Sequence, residues 1–543
     1  MKKYIFKAAL IGMVALSFSA CKKYLDMTPT TAASDKLVWS KVEYAELAIN
    51  SFYHDLNYFS NFSTGQSIAG MTDGFTDAFK YSSMTYNANM YIPNEIAYGG
   101  SVLTPNYAAV YLGNWSTVYE QVRRVNEALS NLRKYGTFTE AETSRLEAEI
   151  RFFRAQLYFD LVKRYKEVII YTEDLSKIQK NTALSTEAQG WDFVQADLNF
   201  AAEHLVNNKN PNGRVTSGAA YALLSRAMLY AERWEAAKIA GAKVLEMGYE
   251  LTPGYADAFK TGSTEAILQY SYNKASFTHS FDATYAPGGD RKGVGAMGTP
   301  TQEMVESYEL KTVGGFPDWS AWHSTSGTTD EPPYVDLEPR FQASVLYNGA
   351  SWKGRKIEPF IDGTDGWASW KDDAVPAGRT VTGYFLRKML DENIDLSKDG
   401  STQPWTAFRL GEVLLNYAEA CYRSNASSEA NAAIRKIRAR VGLPYRDKSG
   451  TELMAAIMQE RKVELAFEGY YYWDMKRWKL AERAFTGKRV HGLKIEKEGS
   501  AFKYTYVDCD KQDRNFPAKM YRIPLPTSEI TNNTAVKQFP EWN

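Results

Sequence analysis

Apolar residues recur every three or four positions along much of the chain, which is the period of helices that bury one face. The segments with this pattern are 38–56, 112–132, 140–165, 186–206 and 216–232. The first of them opens after Ser34 and Asp35, residue types that cap helix N-termini. The pattern therefore predicts a mostly α-helical protein.

Two segments, 217–248 and 408–442, add small residues to this helical period. Their alanines are Ala220, Ala227, Ala236, Ala237 and Ala240 in the first, and Ala418, Ala420, Ala430, Ala432 and Ala433 in the second. Small side chains at these spacings let two antiparallel helices approach closely, as in tetratricopeptide repeats. We expect about four such units, stacked as a superhelix with a concave side.

Between these segments the helical period is mostly lost, and proline, glycine and tryptophan become frequent. A long irregular insertion on a helical scaffold is where binding residues usually lie. The sequence therefore predicts an N-terminal helical part over 37–250, a loop-rich insertion over 251–405 that forms the ligand face, and a C-terminal part over 406–543 containing the second repeat pair.

The N-terminus has the pattern of an export signal. Lys2 and Lys3 precede an apolar run of about ten residues, and small Ser19 and Ala20 precede Cys21. The run is shorter than the roughly 20 residues that span a bilayer. We expect a signal peptide over 1–20, lipid on Cys21 and a tether over 21–36, the alternative being a plain secretory signal. Several acyl chains would hold the protein on a membrane.

Composition narrows the classes of partner. Lysine plus arginine equals aspartate plus glutamate at 64 each, which argues against a nucleic-acid binder. The chain is rich in aromatic residues, with 36 Tyr, 26 Phe and 13 Trp. Planar side chains suit stacking on flat apolar faces such as those of sugar rings, although most of them will be core.

Glu460, Glu464 and Glu468 lie at i, i+4 and i+8, which places them on one stripe of a helix. Like charges at this spacing repel unless cations offset them. The cations near them are Arg461 and, on the preceding helix, Arg435, Lys436, Arg438 and Arg440. A glycosidase needs two carboxyls on opposite sides of the scissile bond, and nothing singles out such a pair. The stripe therefore predicts an ion network within the scaffold and no catalytic residue.

The sequence contains few signals of catalysis, metal binding or disulfide formation. The five histidines are scattered, and no CxxC, HExxH or GxxxxGK[ST] motif occurs. The acidic loops 361–366 and 507–513 could hold calcium but do not follow the EF-hand pattern, so we predict neither metal nor cofactor. Cys421 and Cys509 could pair in an oxidising compartment, but Cys421 lies in a helical run and is more typical of a buried thiol.

An ordered set of motifs gives a family resemblance. The motifs are Cys21 followed by KKYLD, LEAEIRFFRAQLYFDLVKRY (146–165), DLEPRF (336–341), TGYFLRK (382–388), RLGEVLLNYAEA (409–420), RKIRARVGLP (435–444), ERKVELAFEG with DMKRW (460–478), and YRIPLPTSEITNN (521–533). The chain resembles the SusD/RagB family of outer-membrane lipoproteins. The resemblance implies a non-enzymatic lid on a SusC-like TonB-dependent transporter, facing the cell exterior, whose loop-rich face captures a nutrient, usually a glycan.

Aromatic residues in three loops are the candidate ligand contacts. Trp319 and Trp322 lie in FPDWSAWHS (316–324), and Trp367 and Trp370 lie in DGTDGWASWKDD (362–373). Exposed indoles that stack on pyranose rings beside hydrogen-bonding acidic residues would form a glycan platform. The early loop 75–91 adds Tyr81, Tyr86 and Tyr91.

Three other functions remain open at this point. The ligand could be a peptide held in a narrow groove by backbone partners. The protein could be a surface glycosidase, although no isolated carboxylate pair supports that reading. It could also be an assembly subunit of the transporter with no ligand of its own.

Overall fold

The computed structural model describes residues 34–60, 62, 72–81, 94–100, 103–177, 179–207, 213–275, 277–371 and 375–543. The signal peptide, Cys21, most of the tether, Tyr86 and Tyr91 lie outside these residues. Within them, every helix is too short or too polar to cross a membrane.

The N-terminal part is helical, as the apolar period predicts. Its helices are α1 (Asp35–Val38), α2 (Val42–Leu56), α3 (Pro105–Tyr111), α4 (Trp115–Tyr135), α5 (Glu140–Tyr165), α6 (Glu187–His204), α7 (Ser217–Tyr230) and α8 (Trp234–Leu245). Two of them begin with a reciprocal capping box, in which the Thr139 or Thr186 hydroxyl accepts from a backbone N–H three residues on. These caps satisfy donors that a helix start leaves free.

The C-terminal part adds α12 (Leu410–Arg423), α13 (Ser427–Arg440), α14 (Gly450–Glu464), α15 (Tyr471–Arg477), α16 (Ala481–Phe485) and α17 (Thr527–Asn532). Three residues join α7 to α8, and three join α12 to α13, so each pair is antiparallel. Helix α8 packs on α12, which makes the two pairs neighbours. The predicted tetratricopeptide-like helical scaffold is confirmed.

Close approach of α8 and α12 depends on a glycine. A Cβ on Gly241 would lie 3.2 Å from Tyr417 Cβ, tighter than ordinary contact. The alanines around it are buried as well: Ala237, Ala240, Ala418 and Ala420. Small side chains at this interface thus act as the sequence pattern predicts.

The insertion consists of loops with short helices and two-stranded sheets. Its helices are α9 (Phe281–Tyr285), α10 (Gln302–Val305) and α11 (Pro339–Ser344). The strands in the described residues are β1 (Phe79–Tyr81), β2 (Ala266–Tyr270), β3 (Gly298–Pro300), β4 (Val345–Leu346), β5 (Ser351–Trp352), β6 (Arg355–Lys356), β7 (Phe385–Leu386), β8 (Trp405–Arg409), β9 (His491–Glu498) and β10 (Ala501–Asp508). They pair antiparallel as β1–β3, β2–β8, β4–β7, β5–β6 and β9–β10. The β9–β10 hairpin was not predicted.

Two large apolar clusters form most of the core of the described residues, beside a small third one around Val381. One is built mainly by the helices, and the other mainly by the insertion together with Val463, Phe467 and the inner face of the β9–β10 hairpin. The second cluster therefore ties the insertion to the end of α14.

The glutamate stripe lies between these two clusters and is almost completely buried. Arg438 contacts Glu460 at 2.5 Å, and Arg440 contacts Glu464 at 2.5 Å, which confirms the predicted ion network. Arg435 was expected to join it but pairs with Asp447 at the surface instead, because its side chain points to solvent. Arg461 pairs with Asp474 at 2.8 Å, away from the stripe.

Most of the remaining counter-charge comes from the insertion and its C-terminal boundary. Arg340 reaches Glu460 at 2.8 Å, Lys388 reaches Glu468 at 2.7 Å, and Arg409 reaches Glu464 at 2.7 Å. Glu265 and Glu309 in turn pair with Arg440 and Arg438. No local sequence pattern indicates these partners, since they are distant along the chain.

Both described cysteines are free thiols in buried positions. Cys421 lies in α12, as the helical period indicated, and the Cys509 Sγ–H donates to the Val381 carbonyl at 3.1 Å. Burial raises the pKa of Cys421 to about 11. The two residues therefore behave as buried apolar groups and form no disulfide.

Candidate functional site

The loop of Trp319 and Trp322 folds onto the insertion. Trp319 is 5% exposed and packs against Tyr334 and Trp322, so little of its ring is available to a ligand. Trp322 is half-buried, and its indole N–H donates to the Asp330 carbonyl at 2.9 Å. Of the two, Trp322 is the one that can offer a ring face.

Trp367 and Trp370 are both half-buried. The Trp370 indole N–H donates to the Asp508 carbonyl at 2.6 Å, at the end of β10. The Lys494 ammonium lies 6.0 Å from the Trp367 ring, and the Trp367 indole N–H has no hydrogen-bond partner among the described residues. The loop is therefore fixed at its Trp370 end.

Tyr81 is fully buried, contrary to what a ligand contact requires. It packs edge-on against Phe79, and its ring fills the space that a side chain on Gly74 would need. Tyr81 thus supports the core of the insertion instead of offering a ring to a ligand.

The β9–β10 hairpin brings the two tryptophan loops to opposite edges. On the β10 edge, Thr328 exchanges backbone hydrogen bonds with Tyr504. On the β9 edge, the Ile361 N–H donates to the Ile495 carbonyl, and the Leu493 N–H donates to the Thr382 carbonyl. The hairpin is therefore the element that positions the predicted aromatic residues.

Between these loops, Tyr506 lies between two histidines. The His491 ring stacks on it at 4.5 Å, and the His323 ring lies 4.8 Å away. We call the group of Trp322, His323, Trp370, His491 and Tyr506 the hairpin surface. Its aromatic rings are accompanied by carboxylates, which can accept hydrogen bonds from hydroxyl groups.

His491 lies between two carboxylates, Glu303 at 2.5 Å and Asp508 at 3.2 Å. Burial disfavours its charged form, but the hydrogen bond and charge of Glu303 outweigh burial and raise the pKa of His491. Burial also raises the pKa of Glu303, and the opposing effect of His491 offsets only part of this rise. The hairpin surface therefore carries a histidine whose charge depends on its acidic neighbours.

A second aromatic site lies between the end of α2 and the insertion. It is a cleft of about 700 Å³ whose aromatic lining comprises His54, Phe62, Tyr272, Phe277 and His279. Tyr272 and Phe277 stack at 5.4 Å with planes 12° apart, and Phe62 and His279 stack at 4.3 Å with planes 18° apart. We call this site the aromatic cleft.

Polar groups complete the lining of the aromatic cleft. They are Asn57, Thr278, Ser280, Arg291, Ser397, Lys398, Asp399 and Ser401. The Tyr272 hydroxyl donates to Asn57 at 2.5 Å, and Lys274 pairs with Asp399 at 2.8 Å. The cleft has a volume typical of ligand sites. Its aromatic rings and the hydroxyl, amide and charged groups around them suit a ligand with flat apolar faces and many hydroxyls.

His279 is held as a neutral ring. Its Nδ1 accepts from the Phe281 N–H at 3.2 Å, so the proton lies on Nε2, which donates to the Gln403 carbonyl at 2.9 Å. Burial lowers the pKa of His279 to about 4. The ring therefore serves as a fixed aromatic wall.

Sequence reasoning missed the aromatic cleft because it concentrated on tryptophan. The signal was present in 270–281, where Tyr270, Tyr272, Phe277, His279 and Phe281 are interleaved with Ser, Asn and Thr. A loop with that many rings and small polar residues could have been included among the candidates.

In each of the two acidic loops, a buried carboxylate is engaged by cations of the protein. Asp365 binds Arg355 at 2.8 Å, and Asp510 binds Lys80 at 2.8 Å and Arg514 at 2.7 Å. Across the described residues, no group of three or more His, Cys, Asp or Glu side chains is arranged to hold a metal ion.

A tetratricopeptide-like scaffold with a loop-rich insertion and a ligand-sized aromatic cleft defines a class of binding proteins. Two family models match the chain: the SusD family over residues 264–542, and a family described as starch-binding and associating with the outer membrane over residues 23–229. The chain belongs to the SusD/RagB family, a family of carbohydrate-binding proteins.

Individual relatives cover nearly the whole chain. A SusD-like protein of Bacteroides ovatus is 24% identical over 98% of this chain and 97% of its own length. The starch-binding protein SusD of Bacteroides thetaiotaomicron is 24% identical over 99% of this chain and 98% of its own. The crystal structure of a SusD-like protein from Bacteroides fragilis superposes with a TM-score of 0.78 at 25% identity, covering 94% and 98% of the two chains.

Proposed function

We propose that this protein is a cell-surface lipoprotein that captures an oligosaccharide or polysaccharide and delivers it to a SusC-like TonB-dependent outer-membrane transporter. The observation that carries the proposal is the aromatic cleft, with its two stacked ring pairs and polar rim. The family membership and the starch-binding relative support it.

Glycan recognition follows from the chemistry of the aromatic cleft. A pyranose ring has apolar C–H faces, which can stack on the half-buried Phe277, and equatorial hydroxyls, which need donors and acceptors at the rim; Tyr272 is buried and supports the Phe277 ring from behind. Asp399 and Ser397 supply acceptors, and Arg291 and Lys398 supply donors. The site thereby matches both properties of a sugar.

The hairpin surface is proposed as a second contact for a longer glycan. Trp322 and Trp370 keep part of their rings accessible, and Glu306 and Asp508 beside them can accept hydroxyl hydrogen bonds. Trp319 and Tyr81 are buried and support the insertion, whereas the half-buried Trp367 stays a proposed contact. Tyr86 and Tyr91, outside the described residues, stay proposed contacts from the sequence alone.

Binding without chemistry is part of the proposal. The glutamates that resemble an acid–base array are engaged in ion pairs: Glu460 with Arg340 and Arg438, and Glu464 with Arg409 and Arg440. Their burial also keeps a substrate away. Lipid on Cys21 would attach the protein to the outer membrane through the tether, with the binding face on the cell exterior.

The test is a binding titration of a soluble form that begins after Cys21, against plant, host and microbial polysaccharides. Saturable binding to one class with no product release is expected. Tyr272→Ala with Phe277→Ala should weaken binding at least tenfold, about 1.4 kcal/mol. Trp322→Ala with Trp370→Ala should weaken binding to long chains and leave short oligosaccharides unaffected.

Two results would contradict this account. Full affinity in the Tyr272/Phe277 variant, with an unchanged circular dichroism spectrum, would remove the aromatic cleft as the site. Absence of binding to every polysaccharide, together with saturable binding of peptides, would favour the alternative of a peptide-capturing lid on the same type of transporter.

A further inference from the structure

Lys476, near the end of α15, is a buried cation without a hydrogen-bond partner. Its side chain is 5% exposed, and its Nζ makes no hydrogen bond to any described residue. Burying an ammonium group is costly unless an opposite charge or several acceptors compensate it. Among the described residues, the Lys476 ammonium group instead faces two aromatic rings, at 5.2 Å from the Tyr472 centroid and 4.7 Å from the Trp473 centroid.

The Trp473 indole is surrounded by positive charge. Lys163 lies 4.5 Å from its centroid and Arg164 lies 5.0 Å away, in addition to Lys476. One carboxylate, Asp160, pairs with both Lys163 and Arg164. This leaves an excess of positive charge at Lys476. Burial and the charges of Arg164, Lys163, Lys479 and Lys166 lower the pKa of Lys476 well below its ordinary range.

A cavity of about 490 Å³ adjoins this group, between α5, α6, α7 and α15. Its cationic lining is Lys163, Lys166, Arg233, Lys476, Arg477 and Lys479, against two acidic residues, Glu187 and Glu232. Lys166 pairs with Glu187 at 3.0 Å, and Arg477 pairs with Glu419 at 2.6 Å. The remaining walls are aromatic and aliphatic, and include Trp191, Tyr521 and Val162.

Helix dipoles explain part of this charge but not Lys476. The cations lie near the C-terminal ends of α5 and α15, where positive side chains are favourable. A lysine with that role donates to the last free carbonyls of a helix. Since Lys476 Nζ donates to none of the described carbonyls, it is not a capping residue.

We propose that this cavity binds an oxyanion, with the Lys476 ammonium as the central contact and Lys479 beside it. The ligand class is a phosphate, sulfate or carboxylate group, carried by a small molecule or a larger one that the cavity can admit. An oxyanion supplies the hydrogen-bond acceptors that Lys476 lacks and neutralises the excess charge around Trp473. The site is separate from the aromatic cleft, and the proposal does not depend on glycan binding.

The test uses the soluble protein at low ionic strength, with inorganic phosphate, sulfate and acetate as probes. We expect saturable binding of at least one probe by calorimetry, and a thermal midpoint that rises with its concentration. Lys476→Met keeps the length of the side chain and removes its charge. It should weaken binding more than tenfold and abolish the rise in midpoint.

The matched control is Lys177→Met, at an exposed lysine that pairs with Asp174 far along the chain from the cavity. It should bind as the parent does. Without any probe, Lys476→Met should be as stable as the parent or more stable, because it removes an uncompensated buried charge. Phosphate and sulfate binding with no response to acetate would define a tetrahedral anion, and the reverse would define a carboxylate.

The proposal would be overturned if none of the three anions bound saturably to the parent protein. It would also be overturned if Lys476→Met retained the midpoint shift of the parent. A folded Lys476→Met variant whose thermal midpoint without probe lies far below that of the parent would assign Lys476 a structural role instead.

Discussion

Arg409 and Glu464 form a 2.7 Å ion pair in which the side chains are 1% and 0% exposed. Arg409 directly precedes α12, Glu464 ends α14, and the Arg409 guanidinium also donates to the Glu464 carbonyl at 2.8 Å. The pair thus fixes the start of one helix to the end of another, at the boundary of the insertion.

Removing the Glu464 charge should destabilise the protein strongly. Glu464→Gln leaves Arg340, Arg409 and Arg440 short of one buried counter-charge, and breaking a buried pair in this way costs about 3–5 kcal/mol. Urea unfolding followed by circular dichroism measures the change. Glu120→Gln, at an exposed glutamate of α4, is the control and should stay within about 0.5 kcal/mol. Equal unfolding midpoints for the two variants would refute the structural role of the network.

His279 should make the protein less stable in acid. Its folded pKa of about 4 lies below the ordinary value of 6.5, so the neutral ring contributes stability that is complete above pH 6.5. That contribution is lost as the pH falls from 6.5 toward 4, because the unfolded chain takes up the proton first. Between pH 7 and pH 4 the loss is about 3 kcal/mol.

The measurement compares His279→Asn with the parent over this pH range. Asparagine can accept from the Phe281 N–H as Nδ1 does, and it does not titrate. The free energy of unfolding of the parent should fall relative to that of the variant on acidification. Parallel pH profiles would mean that His279 has no shifted pKa.

His491 should show the opposite dependence on pH. Its folded pKa is raised by Glu303 and Asp508, so the charged ring contributes stability that is complete below pH 6.5 and is lost as the pH rises through the folded pKa. His491→Gln should therefore cost about 1 kcal/mol at pH 5.5, the upper end for a partly exposed pair, and less at pH 9. A cost that grows with pH would contradict this assignment.

The two described cysteines should be unreactive in the native protein. Burial raises the pKa of Cys421 to about 11 and raises that of Cys509 well above its usual value, so neither is a thiolate at pH 8. In the form that begins after Cys21, Ellman's reagent should titrate almost no thiol before unfolding and two thiols in urea. Rapid native reaction would show that one of these positions opens to solvent.

The helical scaffold could be predicted from the sequence because the signals that define helices are local. The apolar period over 140–165 corresponds to α5 (Glu140–Tyr165), and the alanines of 217–248 mark the packed pair α7 and α8. The hairpin was missed although Leu493, Ile495, Tyr504 and Tyr506 alternate around Gly499, whose φ of 65° suits the turn.

The candidate sites could be predicted only in part. The local sequence does not show whether a loop tryptophan is buried, as Trp319 is, or partly accessible, as Trp370 is. Burial depends on contacts with residues that are distant along the chain. The aromatic cleft joins His54 on α2 to Ser401 at the end of the insertion, and no local pattern links positions so far apart. Lys476 gave no sequence signal at all.

The ion pairs across the insertion boundary determine how the ligand face could be exchanged between relatives. A chimera that replaced residues 251–405 with another protein's loops would discard Glu265, Glu309, Arg340 and Lys388, and with them the counter-charges of Arg438, Arg440, Glu460 and Glu468. Such a graft would fail in folding before its specificity could be assessed. A modular transplant must therefore carry these four residues with it, or exchange both sides of the charge array together.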